Sequence, residues 1–328
     1  MIMAGMLRGW EFQGTHQPLR FVEKDMTPLK SDYVRLKVVN AGLCHSDVGA
    51  LEDEGWLEII KVVPVIMGHE IAGEIVELGS DVEGFEIGDR VAVCPMPYKD
   101  DGGPGYGRDG GYANYTTAPA EMLIKVPDNV SMVQAAASTD AGMTSYHAVV
   151  QKGQVKKGTK VGIIGLGGLG KVGMDVAIAL GAEVYVSTRK ESAQQKAREA
   201  GAKKVVSNIL ELKDEGLEVI IDFAGSGVTT AQALEAVGFQ GRVVLVGMAK
   251  LETTLNCNDL ILKQATVVGS NGGTKQDIED VLEMMSTAGL IIGAEEIPMS
   301  EVAAGLQRLK EGKADDRLVM KTSEEDFK

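Results

Sequence analysis

Residues 161–189 restrict the fold of this chain more than any other stretch. An apolar run, Val161-Gly162-Ile163-Ile164, meets the turn Gly165-Leu166-Gly167-Gly168-Leu169-Gly170. Apolar residues then recur at helical spacing (Leu169, Val172, Val176, Ala177, Leu180), and a second strand-like run follows at Glu183-Val184-Tyr185-Val186. Strand, glycine turn, helix, strand is the context in which Gly-x-Gly-x-x-Gly signals a dinucleotide-binding unit. Gly165 makes the tight turn, Gly167 lets a pyrophosphate approach the backbone, and Gly170 lets the helix pack close to the strand. The N–H groups of Gly168 and Leu169 face the anion at the helix start.

The pattern around this unit divides the chain. From 33 to 39, Val34, Leu36 and Val38 alternate with Arg35 and Lys37, the period of a half-buried strand, and further short β-like runs lie at 71–78 and 90–93. Residues 100–111 hold six glycines and Pro104 and read as a surface loop. Beyond Gly158 strands alternate with helices, with strands expected at 204–206, 217–223, 241–246 and 266–269, the mark of a doubly wound parallel sheet. Thr274 and Asp277 form a capping box for a helix to about 286, and a terminal strand is expected at 317–320.

Composition limits the partners. The 328 residues suffice for roughly two domains. Lys and Arg number 33 against 47 Asp and Glu, a formal charge of -14 that repels nucleic acid and anionic membranes. No signal peptide and no apolar run of membrane-spanning length is visible. Three scattered cysteines, Cys44, Cys94 and Cys257, argue against a disulfide framework and for a reducing, cytoplasmic setting.

Two short clusters, Gly42-Leu43-Cys44-His45-Ser46-Asp47 and Gly68-His69-Glu70-Ile71-Ala72-Gly73, combine a thiol, an imidazole and carboxylates, the donor types zinc prefers. Taken singly, Cys44 reads better as a small buried hydrophobe and His69 as a satisfied core histidine.

In combination these residues resemble one family. The segments Cys44-His45-Ser46-Asp47, Gly68-His69-Glu70 with Gly73, Gly79 and Val82, Gly88-Asp89-Arg90-Val91, Asp140-Ala141-Gly142 with Thr144, and Gly165 to Gly170 recur in this order in the zinc-dependent medium-chain alcohol dehydrogenases. The resemblance covers essentially the whole chain. It implies an α/β architecture in which a Rossmann doubly wound parallel sheet (149–271) is inserted in a β-rich, GroES-like catalytic domain (1–148), with 272–328 returning to the latter. It places the active site in the cleft between the two.

The resemblance also implies roles. Cys44 and His69 match zinc ligands, and Asp140 stands where a cysteine is commonly the third. Glu70 matches a carboxylate beside the metal, Asp47 a residue that orients the histidine ligand, and Ser46 the hydroxyl that takes the substrate alcohol's proton. Gly49 stands near the place of a histidine that passes this proton to solvent. Only Cys94 is available where the family often holds a structural zinc on four cysteines, so one catalytic zinc per subunit is expected. His45 and Arg317 fall at pyrophosphate-contact positions, with a plain surface charge as the alternative for each. Trp56 and Met143 match substrate-pocket positions.

NAD users carry an acidic residue at the end of the second strand. Here that place is Thr188, and no carboxylate precedes Glu191. NADP is therefore expected over NAD, with Ser187, Thr188 and Arg189 on the 2′-phosphate; the alternative makes Arg189 and Lys190 a solvated helix start. The expected activity is hydride transfer between NADP(H) and an alcohol/carbonyl pair, in a homodimer or homotetramer. A zinc-free double-bond or quinone reductase of this fold and a non-enzymatic NADPH sensor are the rival readings.

Overall fold

The structure, a computed structural model, describes residues 5–328. Two compact units emerge: one from the chain up to Asp140 together with Thr274–Lys328, the other from Ala141–Gly273.

The first unit is largely β. Its strands are β1 (Met6–Phe12), β2 (Arg20–Asp25), β3 (Tyr33–Gly42), β4 (Val65–Ile66), β5 (Glu70–Leu78), β6 (Arg90–Val93), β7 (Tyr115–Pro119) and β8 (Leu123–Lys125). β1 sits between β2 and β4 in a small sheet, and β3 is central in a larger one, antiparallel to β5 and β7. Val34, Leu36 and Val38 are fully buried and pack with Ile71, Ile75 and Val91, as the alternation requires. Arg35, expected on the solvent side, is only 6% exposed. Its Nε donates to Glu77 Oε2 at 2.7 Å and its Nη2 to the Thr27 carbonyl at 2.8 Å, so the long stem covers apolar surface while the head stays partnered. β2, Arg-Phe-Val-Glu-Lys-Asp, is the polar edge of the small sheet and carries little hydrophobic periodicity.

Two helical pieces of this unit matter for the site. Helix α1 (His45–Glu52) begins directly after β3. Helix α2 (Met132–Ala137) runs into a π-helical turn, Ser138–Gly142, a local widening of the kind that recurs at functional positions.

The second unit holds six parallel strands, β9 (Lys160–Ile164), β10 (Glu183–Ser187), β11 (Lys204–Val206), β12 (Val219–Asp222), β13 (Arg242–Leu245) and β14 (Thr266–Gly269). Their order is β11-β10-β9-β12-β13-β14, so the direction of winding reverses between β9 and β12, and the glycine turn leaves β9 at that switch point. The helix Gly168–Ala179 buries Val172, Met174, Val176 and Ala177. Ile164, Tyr185, Ile220, Leu234 and Val243 share one core.

On its return the chain starts a helix, Lys275–Ala288, with the expected capping box: Thr274 N donates to Asp277 Oδ2 at 2.8 Å and Asp277 N to Thr274 Oγ1 at 3.2 Å. Gly289 in the left-handed region ends it. β15 (Ala294–Pro298) and β16 (Arg317–Lys321) then complete the order β15-β16-β3-β5-β6-β8, with Val319 facing Gly42. That antiparallel pairing brings the C-terminal strand beside the end of β3, from which α1 departs. No helix among the described residues is long and apolar enough to cross a membrane.

Candidate active site

Four side chains from three places in the first unit converge. Cys44 lies at the start of α1, His69 and Glu70 where the chain enters β5, and Asp140 on the π-helical turn. One ligand atom from each lies within 4.8 Å of all the others. Cys44 Sγ donates to Asp140 Oδ2 at 3.3 Å, and His69 Nε2 is 3.7 Å from Asp140 Oδ2 and 3.9 Å from Glu70 Oε1. The π turn matters because it resets the helical register after α2 and so decides which way residue 140 faces.

Asp47 is fully buried one turn into α1. Its Oδ2 accepts from the Cys44 amide at 3.1 Å and from the Tyr112 hydroxyl at 2.5 Å, while Oδ1 lies 3.4 Å from His69 Nδ1. A carboxylate on the far nitrogen of a candidate ligand histidine is the arrangement that orients metal-binding imidazoles. His69 itself is 6% exposed, and its Nδ1 has no hydrogen bond of good geometry. A satisfied core histidine would show one, so that bland reading fails here.

Arg317, expected at a pyrophosphate-contact position, also pairs with two carboxylates of the cluster. It is 7% exposed, which removes the surface-charge alternative. Its Nε donates to Glu70 Oε2 at 3.0 Å, its Nη2 to Glu70 Oε1, and Nη2 also to Asp140 Oδ2 at 2.9 Å. Gly42 lies directly under Glu70, where any Cβ would overlap the carboxylate. The pairing across β3 and β16 was not readable from spacing, since 247 residues separate Glu70 from Arg317.

Burial dominates the electrostatics. It raises the Cys44 thiol, and the charge of Asp140 adds to this. Burial pushes Glu70 up to about 7 against the pull of Arg317. For His69, burial favours the neutral ring, but Tyr106, Asp47 and Asp140 outweigh it and leave the imidazole well above its usual value. One sulfur, one nitrogen and two carboxylates, desolvated and mutually strained when protons must balance their charge, fit a divalent cation such as zinc. Cys94 is buried at the end of β6, and all three cysteines are free.

The remaining sequence-derived residues fall as follows. Ser46, in the first turn of α1, is partly buried and accepts from the Tyr106 hydroxyl at 2.9 Å. His45 keeps part of its ring in solvent, and the burial of the rest together with the nearby Arg317 lowers its pKa. Trp56 lies half-buried in the short turn Glu54–Glu58, with its indole filling the space beside Gly49. Met143 is 1% exposed. In the second unit the three glycines differ as the motif demands. Gly165 has φ +82°, Gly167 borders open space, and a Cβ on Gly170 would overlap the Gly165 carbonyl. Ser187 ends β10 in register with Ile164, the residue before Gly165, and Thr188 and Arg189 follow it, Thr188 buried and Arg189 exposed. This turn fits a dinucleotide.

Two family models match this chain, the alcohol dehydrogenase GroES-like domain over residues 30–128 and the zinc-binding dehydrogenase domain over 168–287. An alcohol dehydrogenase of Geobacillus stearothermophilus is 29% identical over 94% of this chain and 96% of its own length. A mannitol dehydrogenase of Petroselinum crispum is 30% identical over 84% of this chain and 89% of its own. The solved structure of acetophenone reductase from Geotrichum candidum in complex with NAD superposes with a TM-score of 0.88 at 29% identity, covering 98% of each chain. With its GroES-like and Rossmann units and its Cys-His-Glu-Asp cluster, the chain belongs to the zinc-dependent medium-chain alcohol dehydrogenase family.

Proposed function

We propose that this protein is a zinc-dependent oxidoreductase that interconverts an alcohol with its aldehyde or ketone and prefers NADP(H) to NAD(H). The observation that carries this reading is the convergence of Cys44, His69, Glu70 and Asp140 to within 4.8 Å. The names of the relatives, a mannitol dehydrogenase and an acetophenone reductase among them, belong to the same reaction class.

Cys44, His69 and Asp140 would hold one zinc, with Glu70 within reach as a further ligand. When bound, zinc supplies a Lewis acid that brings an alcohol's proton loss toward neutral pH, and the nicotinamide supplies the hydride acceptor. Asp47, whose Oδ1 lies 3.4 Å from His69 Nδ1, is assigned to orient the His69 ring once a metal is bound. Ser46 takes the hydroxyl proton in oxidation and returns one in reduction. Arg317 offsets the two carboxylates and, with His45, is assigned to the pyrophosphate. Gly167, Gly168, Leu169 and Gly170 offer backbone to the same group. Ser187, Thr188 and Arg189 take the 2′-phosphate, because a phosphate requires small donors and a cation where NAD enzymes place a carboxylate. Trp56 and Met143 are assigned to the substrate. Three free cysteines suit a reducing, cytoplasmic setting.

The test is a panel of primary and secondary alcohols, aldehydes and ketones with both nicotinamides, run on protein of known metal content. Turnover with NADPH by zinc-bearing protein is expected. NADPH binding without turnover of any compound would make the chain a sensor, and turnover of activated double bonds without zinc would make it a reductase of the rival kind.

A further inference from the structure

The glycine-rich loop between β6 and β7 is not merely a surface connection. Gly110 N donates to the Ile66 carbonyl at 2.8 Å and Gly111 N to the Gly68 carbonyl at 2.7 Å, so the loop is bonded onto the residues that lead into His69. A Cβ on Gly105, which has φ +78°, would stand 2.9 Å from Gly68 N, and one on Gly110 would stand 2.6 Å from the Met67 carbonyl oxygen. Only glycine permits so close an approach of two backbones. The approach delivers Tyr106. Its ring stacks on His69 with centroids 5.3 Å apart at 28°, and its hydroxyl donates to Ser46 Oγ at 2.9 Å and lies 3.4 Å from Asp47 Oδ1. Its carbonyl accepts from Lys61 N at 2.7 Å, which pins the backbone from the other side.

We infer that Tyr106 is a positioning residue for proton transfer at this centre, acting through Ser46; this rests on the reading of the site as an alcohol/carbonyl dehydrogenase. A serine hydroxyl rotates about Cβ–Oγ and has one hydrogen and two lone pairs. The phenol has a single hydrogen, and the shorter contact assigns it to Ser46 rather than to Asp47. One serine lone pair is thereby filled, which leaves its hydrogen and its other lone pair for the substrate oxygen. The ring stack and the glycine-pinned backbone hold the phenol still, so this orientation exists before substrate arrives. In oxidation the substrate O–H bond breaks, its proton joins Ser46 Oγ, and Ser46 releases its own proton to water. Reduction reverses each transfer, and Tyr106 keeps its proton throughout. Residue 49 is glycine, with the Trp56 indole in the space a Cβ would take, so no side chain from there competes for Ser46.

The experiment is a double-mutant cycle between Tyr106→Phe and Ser46→Ala in the zinc-bearing enzyme, with NADPH and the carbonyl compound that the wild type reduces fastest. A wild type that reduces nothing in the panel would refute the proposed function itself, separately from any effect at Tyr106. Given turnover, Tyr106→Phe is expected to keep its zinc and its KM for NADPH while kcat falls roughly 10-fold, a modest share of what general acid–base assistance provides. In the Ser46→Ala background the same change is expected to alter kcat less than about twofold, the signature of residues acting as one unit. Tyr106→His, which keeps a flat ring and a donor, is expected to lie above Tyr106→Phe in kcat. The cycle is also read without turnover, in the urea midpoints of the zinc-free proteins, where the double variant is expected to fall no lower than the worse single one. A wild-type kcat in Tyr106→Phe, a Tyr106→His no better than it, or effects that multiply in both readouts would overturn the inference.

Discussion

Arg317 grips Glu70 with two nitrogens inside the protein, the arginine 7% exposed and the glutamate fully buried. The same guanidinium reaches Asp140 at 2.9 Å, so a single cation offsets two carboxylates of the candidate metal cluster. Arg317→Ala leaves both uncompensated in a desolvated place, and such a truncation costs about 3–5 kcal/mol. Urea unfolding of the zinc-free protein should show that loss, and zinc should stabilise the variant more than the wild type because it restores positive charge. A loss under about 1 kcal/mol would mean that solvent reaches the pair.

Arg189 follows Thr188 at the end of β10 and is exposed. Removing it as Arg189→Ala should cost a charge-assisted phosphate contact, about 1.5–3 kcal/mol, and raise the KM for NADPH roughly 10- to 150-fold while leaving that for NADH within about twofold. Steady-state kinetics with both cofactors decides the matter. Equal effects on the two would assign Arg189 to a solvated helix start.

Asp175, on the helix that follows the glycine turn, has its carboxyl pushed up to about 6 by burial, with Lys171 pulling the other way. The unfolded chain loses this proton near pH 4, so stability falls as pH rises from about 4 to about 6 and stays reduced above that. Full conversion of the shift would give about 3 kcal/mol, and partial solvent access brings the expected penalty to about 1–2 kcal/mol. Asp175→Asn should therefore raise the urea midpoint at pH 7.5 and change it little at pH 4. An equal gain at both values would point to a cause other than ionisation.

The parts of the molecule written in local periodicity were legible beforehand. β6, β11 and β14 fall where the apolar runs place them, and the helix after Thr274 starts on its capping box because cap and first turn are neighbours in sequence. The second unit's winding followed from alternation alone. β2 escaped notice because an edge strand with charges on both faces has no period to read. The π turn at Asp140 was invisible for a different reason: a widened turn depends on packing, not on spacing. The chemical identities of Cys44, His69 and Asp140 were legible only through family resemblance, as nothing local ties residues 96 apart. Arg317 on Glu70 and Tyr106 on Ser46 are products of sheet pairing and loop packing across long separations, and no sequence signal carried them.

The most direct test of the account is the zinc content of the purified wild type and of Asp140→Ala, measured by elemental analysis alongside NADPH titration. The wild type should hold about one zinc per chain and the variant well under half, because losing one ligand from a site of three or four weakens retention steeply, while both bind NADPH alike. A wild type without zinc after growth in metal-replete medium, or a variant that keeps both its metal and its turnover, would contradict the assignment of this cluster as the catalytic centre.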